Sequence, residues 1–556
     1  MKRIFNEVLV IILFLFSISL NALMFISNKV NYVNLDIKKS MSVESVSEVY
    51  ESLDGVVVSC LLDYEKFSYI DTNNYDLNNI EDMREARREF NEKGGKYHSE
   101  KNQSVKDKIG ELDYEYVYVS KYSPYIEFGF SSEKFSEDNI KILKTLDGIK
   151  DISEISVREG CAVREGMMNG ASYHSGSWDD FSNGLVTGDG VNIGLLELGI
   201  IDKNHVNISG SNYTIRSYWL NSKDIHATTM ASLIGGNYGL APDAHIYNAQ
   251  AAGSLVNEMD WFVDKNVDII NMSFGEGDVT GEYGTDSAVA DYYAKTYGIL
   301  MVASAGNEGT TTGYVANPGL GYNVLTVGSI AECHIDSGFS SFIELVGPEK
   351  PTLSMYGDCV TVPNFEGWCC GTSQAAALVT GSMAMIYELY PVLKNQPERA
   401  LALTTACSLS LEGYPVDTDN GTNDIIGAGV FRYNTIKENY QNSCLFTHPS
   451  NSGNCVVYQK TVDLNCADKI KICLTWFADS DLSADGTTFN DYDIKIYNSS
   501  NQLVAIGGSL DDNLEVLTYM ASFTDTYTIK VFQYDAAEKA QRLGFAYQVI
   551  EYEYEE

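Results

Sequence analysis

The chain has 556 residues, room for two to four domains, and 44% of them are hydrophobic. Its 38 Lys and Arg stand against 76 Asp and Glu, a formal net charge of −38. That balance argues against nucleic acid or an anionic membrane as a partner held by charge, and it permits calcium sites without showing one.

At the N-terminus Lys2 and Arg3 precede an apolar run from Val8 to Ile26. Residues 1–29 therefore read as an export signal, either a cleaved signal peptide or an uncleaved membrane anchor. The rest of the chain is expected outside the cytoplasm, secreted or held at the outer face of the membrane. Residues 30–110 are polar and mixed, with a charged helical stretch near "EDMREARREFNEKGGK". Strand-like "YEYVYVS" and "PYIEFGFS" follow, then helical "SEDNIKILKTLDGIKDI" and a short strand, "SEISV". Together these predict a compact α+β unit that closes near Gly160.

From about Asp189 the pattern changes. The apolar runs "VNIGLLEL", "VDIINMSF", "GILMVASAG" and "NVLTVGSI" each end in small residues or a turn, and helical stretches such as "SAVADYYAKTYG" lie between them. Continuous apolar strands alternating with helices predict an α/β domain with a parallel sheet covered on both faces. Sites in such sheets lie at the carboxyl ends of the strands. From about Ser443, "VVYQKTVDL", "KIKICLTWFA", "DYDIKIYNSS", "LVAIGG" and "TYTIKVFQYD" alternate with period two between Asn, Gly and Asp turns, which predicts an antiparallel β-sandwich. Eleven cysteines are scattered without metal-ligand spacing. After export Cys444, Cys455, Cys466 and Cys473 are placed to form disulfides, and buried free thiols are the equal alternative.

Four elements carry chemistry. Glu197 ends the first apolar strand, and an ionised carboxylate there needs a partner. His226 opens the small-residue helix "HATTMASLIGG". Asn307 ends an apolar strand in the glycine turn "ASAGNEG". Ser373 follows Gly-Thr at the start of "CCGTSQAAALVTGSMAMI", with a helix dipole behind its hydroxyl. Taken singly, they read as a structural histidine, a turn asparagine and a helix cap.

In order, they resemble the subtilase family of subtilisin-like serine peptidases. Glu197 stands in "VNIGLLELGI" where the family has an apolar strand, Asp, one residue and Gly. His226 and Thr228 match its His-Gly-Thr, "APDAHIYNAQ" its alanine-proline strand, and "VDIINMSFG" the strand that binds substrate backbone. Ser304-Ala305-Gly306-Asn307 resembles the pocket wall and oxyanion asparagine, and Gly371-Thr372-Ser373 the nucleophile. His226 follows Glu197 by 29 residues, Asn307 follows His226 by 81, and Ser373 follows Asn307 by 66. The resemblance covers roughly residues 175–400. The sedolisin branch fits less well, since it has no catalytic histidine and carries Asp where Asn307 stands.

The resemblance implies a parallel-sheet catalytic domain over 166–440, an α+β propeptide over 30–165 that also inhibits the enzyme, and a β-sandwich over 441–556. The implied function is a serine endopeptidase acting on polypeptides through an acyl-enzyme and made as a zymogen. Its implied triad is Ser373, His226 and Glu197, with Asn307 as oxyanion donor. Ser273-Phe274-Gly275 and Ser304-Ala305-Gly306 are the implied substrate-binding segments. No cofactor is needed for that chemistry; structural calcium is allowed, with Asp491 and Asp493 as a weak candidate pair. The chain departs from the family at Glu197 (Asp), Ala227 (Gly) and Ala377 (Pro). The first departure touches the chemistry and leaves two alternatives: Asp202 as the orienting acid, or an inactive relative serving as a binding or structural surface protein.

Overall fold

The computed structural model describes residues 55–62, 80–108, most of 114–164, and 185–551 with short interruptions. The leader expected at 1–29 lies outside the described residues.

The N-terminal unit is a four-stranded antiparallel sheet in the order β2-β3-β1-β4. Its strands are β1 (Gly55–Leu62), β2 (Tyr116–Val119), β3 (Tyr125–Ser131) and β4 (Ile149–Glu154), with helices α1 (Ile80–Lys106) and α2 (Glu137–Lys144). Cys60, Leu62, Val105, Ile126, Phe128, Phe130 and Leu143 form its small core. Two details differ from the sequence reading. The stretch "GVVVSCLL" lies in a region read as mixed and polar, yet it is a central strand that pairs with both β3 and β4. The helix read through "GIKDI" stops at Lys144, Gly148 turns the chain at φ +100°, and the next six residues are strand. Such a φ favours glycine, so the turn is written in the residue itself.

Two short strands, β5 (Arg158–Gly160) and β6 (Val163–Arg164), lead toward the central unit. That unit is a seven-stranded parallel sheet in the order β14-β13-β12-β10-β7-β9-β8. In chain order its elements are β7 (Asn192–Glu197), β8 (Tyr213–Ile215), α3 (Ile225–Gly235), β9 (His245–Gln250), α4 (Val256–Asp264), β10 (Ile269–Met272), β11 (Phe274–Glu276), α5 (Thr285–Tyr297), β12 (Leu300–Ser304), β13 (Val324–Ile330), β14 (Leu353–Tyr356), β15 (Cys369–Cys370), α6 (Thr372–Leu389), α7 (Pro397–Ala406) and α8 (Tyr433–Asn439). The four apolar runs of the sequence are β7, β10, β12 and β13. They are buried because helices cover both faces, as an all-parallel sheet requires. Helices α3 and α6 touch each other, as do α4 and α5. A Cβ added at Gly381 of α6 would stand 3.2 Å from the Ile234 carbonyl of α3, so the small residues of α6 set how closely the helix of Ser373 approaches the helix of His226.

The C-terminal unit is a sandwich of two four-stranded antiparallel sheets, β16-β23-β18-β21 and β17-β22-β19-β20. Its strands are β16 (Ser443–His448), β17 (Cys455–Leu464), β18 (Lys469–Trp476), β19 (Tyr492–Tyr497), β20 (Leu503–Gly507), β21 (Leu514–Met520), β22 (Asp525–Gln533) and β23 (Gln541–Ile550). Period-two alternation in β18 sends Ile470, Ile472, Leu474 and Trp476 into the sandwich core. The residues between them face the catalytic unit: the Lys471 ammonium bonds Ser408 and Ala428, and the Thr475 hydroxyl bonds the Glu398 carbonyl at 2.7 Å. Cys444, Cys455, Cys466 and Cys473 form no disulfide; Cys473 is buried and Cys466 exposed.

Candidate active site

Glu197 ends β7, the strand between β10 and β9. Its side chain is buried, and its Oε2 lies 2.8 Å from His226 Nδ1. Oε1 has no hydrogen-bond partner among the described residues. His226 is the second residue of α3, whose N-cap Asp224 accepts from the Ala227 N–H at 2.7 Å. The cap fixes the start of the helix and hence the place from which the imidazole leaves it.

Burial raises the Glu197 pKa, and the nearby imidazole opposes that only in part. Burial also works to lower the His226 pKa, but the charge and hydrogen bond of Glu197 more than offset it, so the imidazole is the stronger base for its partner. Asp202, the alternative acid, is elsewhere. It pairs with Lys223 at 2.7 Å and accepts from the Asn204 N–H, both of which lower its pKa. Its backbone N–H donates to the Thr228 hydroxyl at 2.9 Å, so the Thr of the His-x-Thr motif holds the loop that follows Glu197.

Ser373 is the second residue of α6 and is fully buried. Its hydroxyl donates to the Ser273 carbonyl at 3.1 Å, and the Ser273 hydroxyl donates back to the Ser373 carbonyl at 3.1 Å. His226 Nε2 has no hydrogen-bond partner among the described residues. The carboxylate–imidazole half of the constellation is therefore formed, and the serine is parked on the strand that leads into β11. Catalytic hydrogen bonds are often unmade without substrate.

Asn307 follows β12. Its Oδ1 accepts from the Thr372 N–H at 3.0 Å and from the Thr372 hydroxyl at 3.2 Å. The amide is thereby oriented by the residue just before the nucleophile. Gly306 donates to the same hydroxyl at 3.1 Å and sits at φ +109°, where an added Cβ would meet the Ser341 hydroxyl at 3.0 Å. Glycine is required there by both the dihedral and the space. Ser304 and Ala305 are buried at the end of β12, and the Ala305 N–H is tied to the Val327 carbonyl at 3.0 Å. Thr372 was missed by sequence reasoning as an organising residue; its place between Gly371 and Ser373 was the available signal.

The segment Ser273-Phe274-Gly275 is already paired. β11 is antiparallel to β5, with Phe274 opposite Gly160, Gly275 opposite Glu159 and Glu276 opposite Arg158. Just before Ser373 in the chain, β15 is antiparallel to β6, with Cys370 opposite Val163 and Cys369 opposite Arg164. Residues 158–160 thus pair just after Ser273, which bonds Ser373, and residues 163–164 pair with the strand just before α6. Among the described residues no group of three or more His, Cys, Asp or Glu could hold a metal ion, and that includes Asp491 and Asp493.

Residues 188–429 match the model of the subtilase family. The major intracellular serine protease of Bacillus subtilis (strain 168) is 30% identical over 232 residues, which is 36% of this chain and 69% of that protein. Subtilisin NAT of Bacillus subtilis subsp. natto is 28% identical over 251 residues, 41% of this chain and 63% of its own length. The chain thus matches under two thirds of that relative. The crystal structure of fervidolysin from Fervidobacterium pennivorans overlaps 94% of this chain and 81% of its own at 14% identity, with a TM-score of 0.46. With its seven-stranded parallel sheet and the matches to the family model and to the protease of Bacillus subtilis, the chain belongs to the subtilase family.

Proposed function

We propose that the chain is a serine endopeptidase with a Ser373–His226–Glu197 triad, exported and made as a zymogen whose first substrate is its own N-terminal segment. The observation that carries this reading is the double pairing around Ser373. Residues 158–160 add a strand to β11, and 163–164 add one to β15. Strand addition is how an extended peptide is held by its backbone. The bond to be cut falls between Gly160 and Val163, where the chain passes from one pairing to the other.

In the proposed reaction Ser373 turns from the Ser273 carbonyl to His226 Nε2 and attacks the carbonyl presented to it. Its proton passes to His226, which later gives it to the leaving amine. Glu197 keeps the Nδ1–H tautomer and stabilises the imidazolium. The Asn307 amide and the Ser373 N–H receive the oxyanion; losing one such donor costs about 10²–10³ in rate, a magnitude measured in a subtilisin. Water then releases the acyl group. Glutamate in place of the family's aspartate is accommodated, since its carboxylate reaches Nδ1 at 2.8 Å.

Export rests on the leader, read from sequence alone. Among the described residues no helix is long and apolar enough to cross a membrane.

The test has two parts. The purified precursor should yield a product beginning at residue 161, 162 or 163 by mass spectrometry, and Ser373→Ala should stay intact. Ser373 should also react with a fluorophosphonate probe. Normal trimming of purified Ser373→Ala would sink self-cleavage, and an unreactive wild type would sink the peptidase reading.

A further inference from the structure

Glu276 lies one residue past the segment expected to hold substrate backbone, and no motif singles it out. It ends β11, and the residue that pairs with it is Arg158. Directly opposite residues of an antiparallel pair carry their Cβ atoms about 5 Å apart on the same face of the ladder. Any peptide bound along β11 in this register therefore places one residue directly opposite Glu276. In the chain's own segment that residue is Arg158.

The carboxylate is fixed before anything binds. Asn317 Nδ2 donates to Glu276 Oε1 at 2.8 Å, and the Glu276 N–H bonds the Asn317 carbonyl at 3.2 Å. Asn317 is itself held, its Oδ1 accepting from the Gly284 N–H at 2.9 Å and from the Ser287 hydroxyl at the start of α5. A second carboxylate, Asp286, is near enough to act on Glu276 and adds to the negative field. Burial of Glu276 raises its pKa, so a cation placed opposite recovers part of what desolvation costs. A neutral or acidic side chain at that place recovers nothing, and an acidic one adds repulsion.

We propose that Glu276 is a specificity-determining residue that selects an arginine or lysine in the substrate at the position two residues before the one opposite Phe274. This rests on the peptidase reading above and names the substrate class it prefers: polypeptides basic at that one position. Arg158 in the chain's own segment is the first such residue to be read.

The test is a charge swap on the full-length precursor, following the appearance of the new N-terminus. Arg158→Glu and Glu276→Arg are each expected to slow processing about tenfold, as for loss of one partly screened charge pair. The double variant should recover most of the rate, which a merely structural Glu276 would not allow. Glu276→Gln keeps an acceptor for Asn317, so it separates loss of charge from loss of fold; its thermal unfolding should match the wild type. The processed wild-type enzyme should cut the peptide of residues 157–164 about tenfold faster than the same peptide with Arg158→Ala. Equal rates for that peptide pair, or a double variant no faster than the single ones, overturn the specificity while leaving the peptidase reading intact. A wild-type precursor that neither processes nor reacts with fluorophosphonate overturns both.

Discussion

Lys121 and Lys471 each join another unit to the catalytic sheet, yet the side chain of the first is 45% exposed and the second is fully buried. Around Lys121 the N-terminal unit meets α4 through polar contacts, some buried at Asp260 and one an exposed ion pair at the rim. Asp260 accepts from the Ser120 hydroxyl at 2.8 Å and the Lys121 N–H at 2.9 Å, and Lys121 pairs with Asp264 at 2.6 Å. Leu61 and Tyr125 reach the central core, while the unit's other buried apolar residues keep a core of their own. Around Lys471 the C-terminal sandwich shares its neighbour's interior. Cys473, Phe477, Leu482, Val516 and Ala546 belong to the central core. The Lys471 ammonium meets the Ser408 hydroxyl at 2.8 Å, the Ser408 carbonyl at 3.0 Å and the Ala428 carbonyl. Asn323 joins the Asn513 amide and the Ala478 backbone. Water can take over the polar contacts of either joint once it opens, but opening the Lys471 joint also exposes the apolar residues that the sandwich shares with the central core. On the proposed zymogen reading, the difference is that between a unit able to leave after one peptide bond is cut and a unit that stays.

The largest test of that contrast acts on the N-terminal unit alone. Glu197→Gln keeps shape but removes the charge facing His226, and the analogous change in an Asp-based triad costs about 10⁴ in kcat. Release of the N-terminal unit should slow by about 10³–10⁴, with KM for peptides little changed and the sandwich still attached. The same pair sets the pH profile. A raised His226 pKa keeps the imidazole protonated to higher pH, so the acid limb of kcat/KM should have its midpoint above 6.5. Glu197→Gln should move that limb to lower pH, which a pH–rate series would show.

Lys471→Met should act on the other joint. It removes the amine from buried carbonyls and should cost about 3–5 kcal/mol, read as one cooperative denaturant transition of catalytic unit and sandwich together. Two separate transitions would break the comparison. Gly544→Ala comes next. Its Cβ would fall 2.2 Å from the Glu398 carbonyl at the start of α7, so overpacking of about 1–3 kcal/mol is expected in the same transition. Asp260→Asn should leave that transition almost unmoved while weakening retention of the cut N-terminal unit about tenfold on gel filtration. Smallest of all, Lys150→Ala removes an exposed pair with Asp481, and retention should change by less than about 1 kcal/mol.

Much of this was legible in the sequence. The strands β7, β10, β12 and β13 announce themselves because both faces of a parallel sheet are covered and their residues are apolar without a break. Glu197 was singled out as a carboxylate at the end of an apolar run, and His226, Asn307 and Ser373 because each stands in a glycine or small-residue context. What escaped notice depends on contacts far apart in the chain. "GVVVSCLL" is a strand only because β3 and β4 flank it. The alternation of β18 reads equally well with its polar side in water, so nothing local says that Lys471 is buried. Nor does any motif say that Ser373 bonds Ser273, or that residues 158–160 and 163–164 pair with β11 and β15; register between short strands is a tertiary property.

Strand β23 ends at Ile550 and lies against α7 and β18. A chain is made from its N-terminus onward, so this cover of α7 is synthesised after both α7 and β18. The amine that meets the carbonyls of Ser408 and Ala428 comes earlier, with Lys471 of β18, but that strand lacks its neighbour until β23 is made. The interior beside α7 is therefore closed only once β23 has been made, whereas the strands β5 and β6 are made long before. If the proposed reading holds, the order of synthesis puts the occupant of the cleft in place ahead of the finished catalyst, and a chain cut short before β23 would lack the cover of α7.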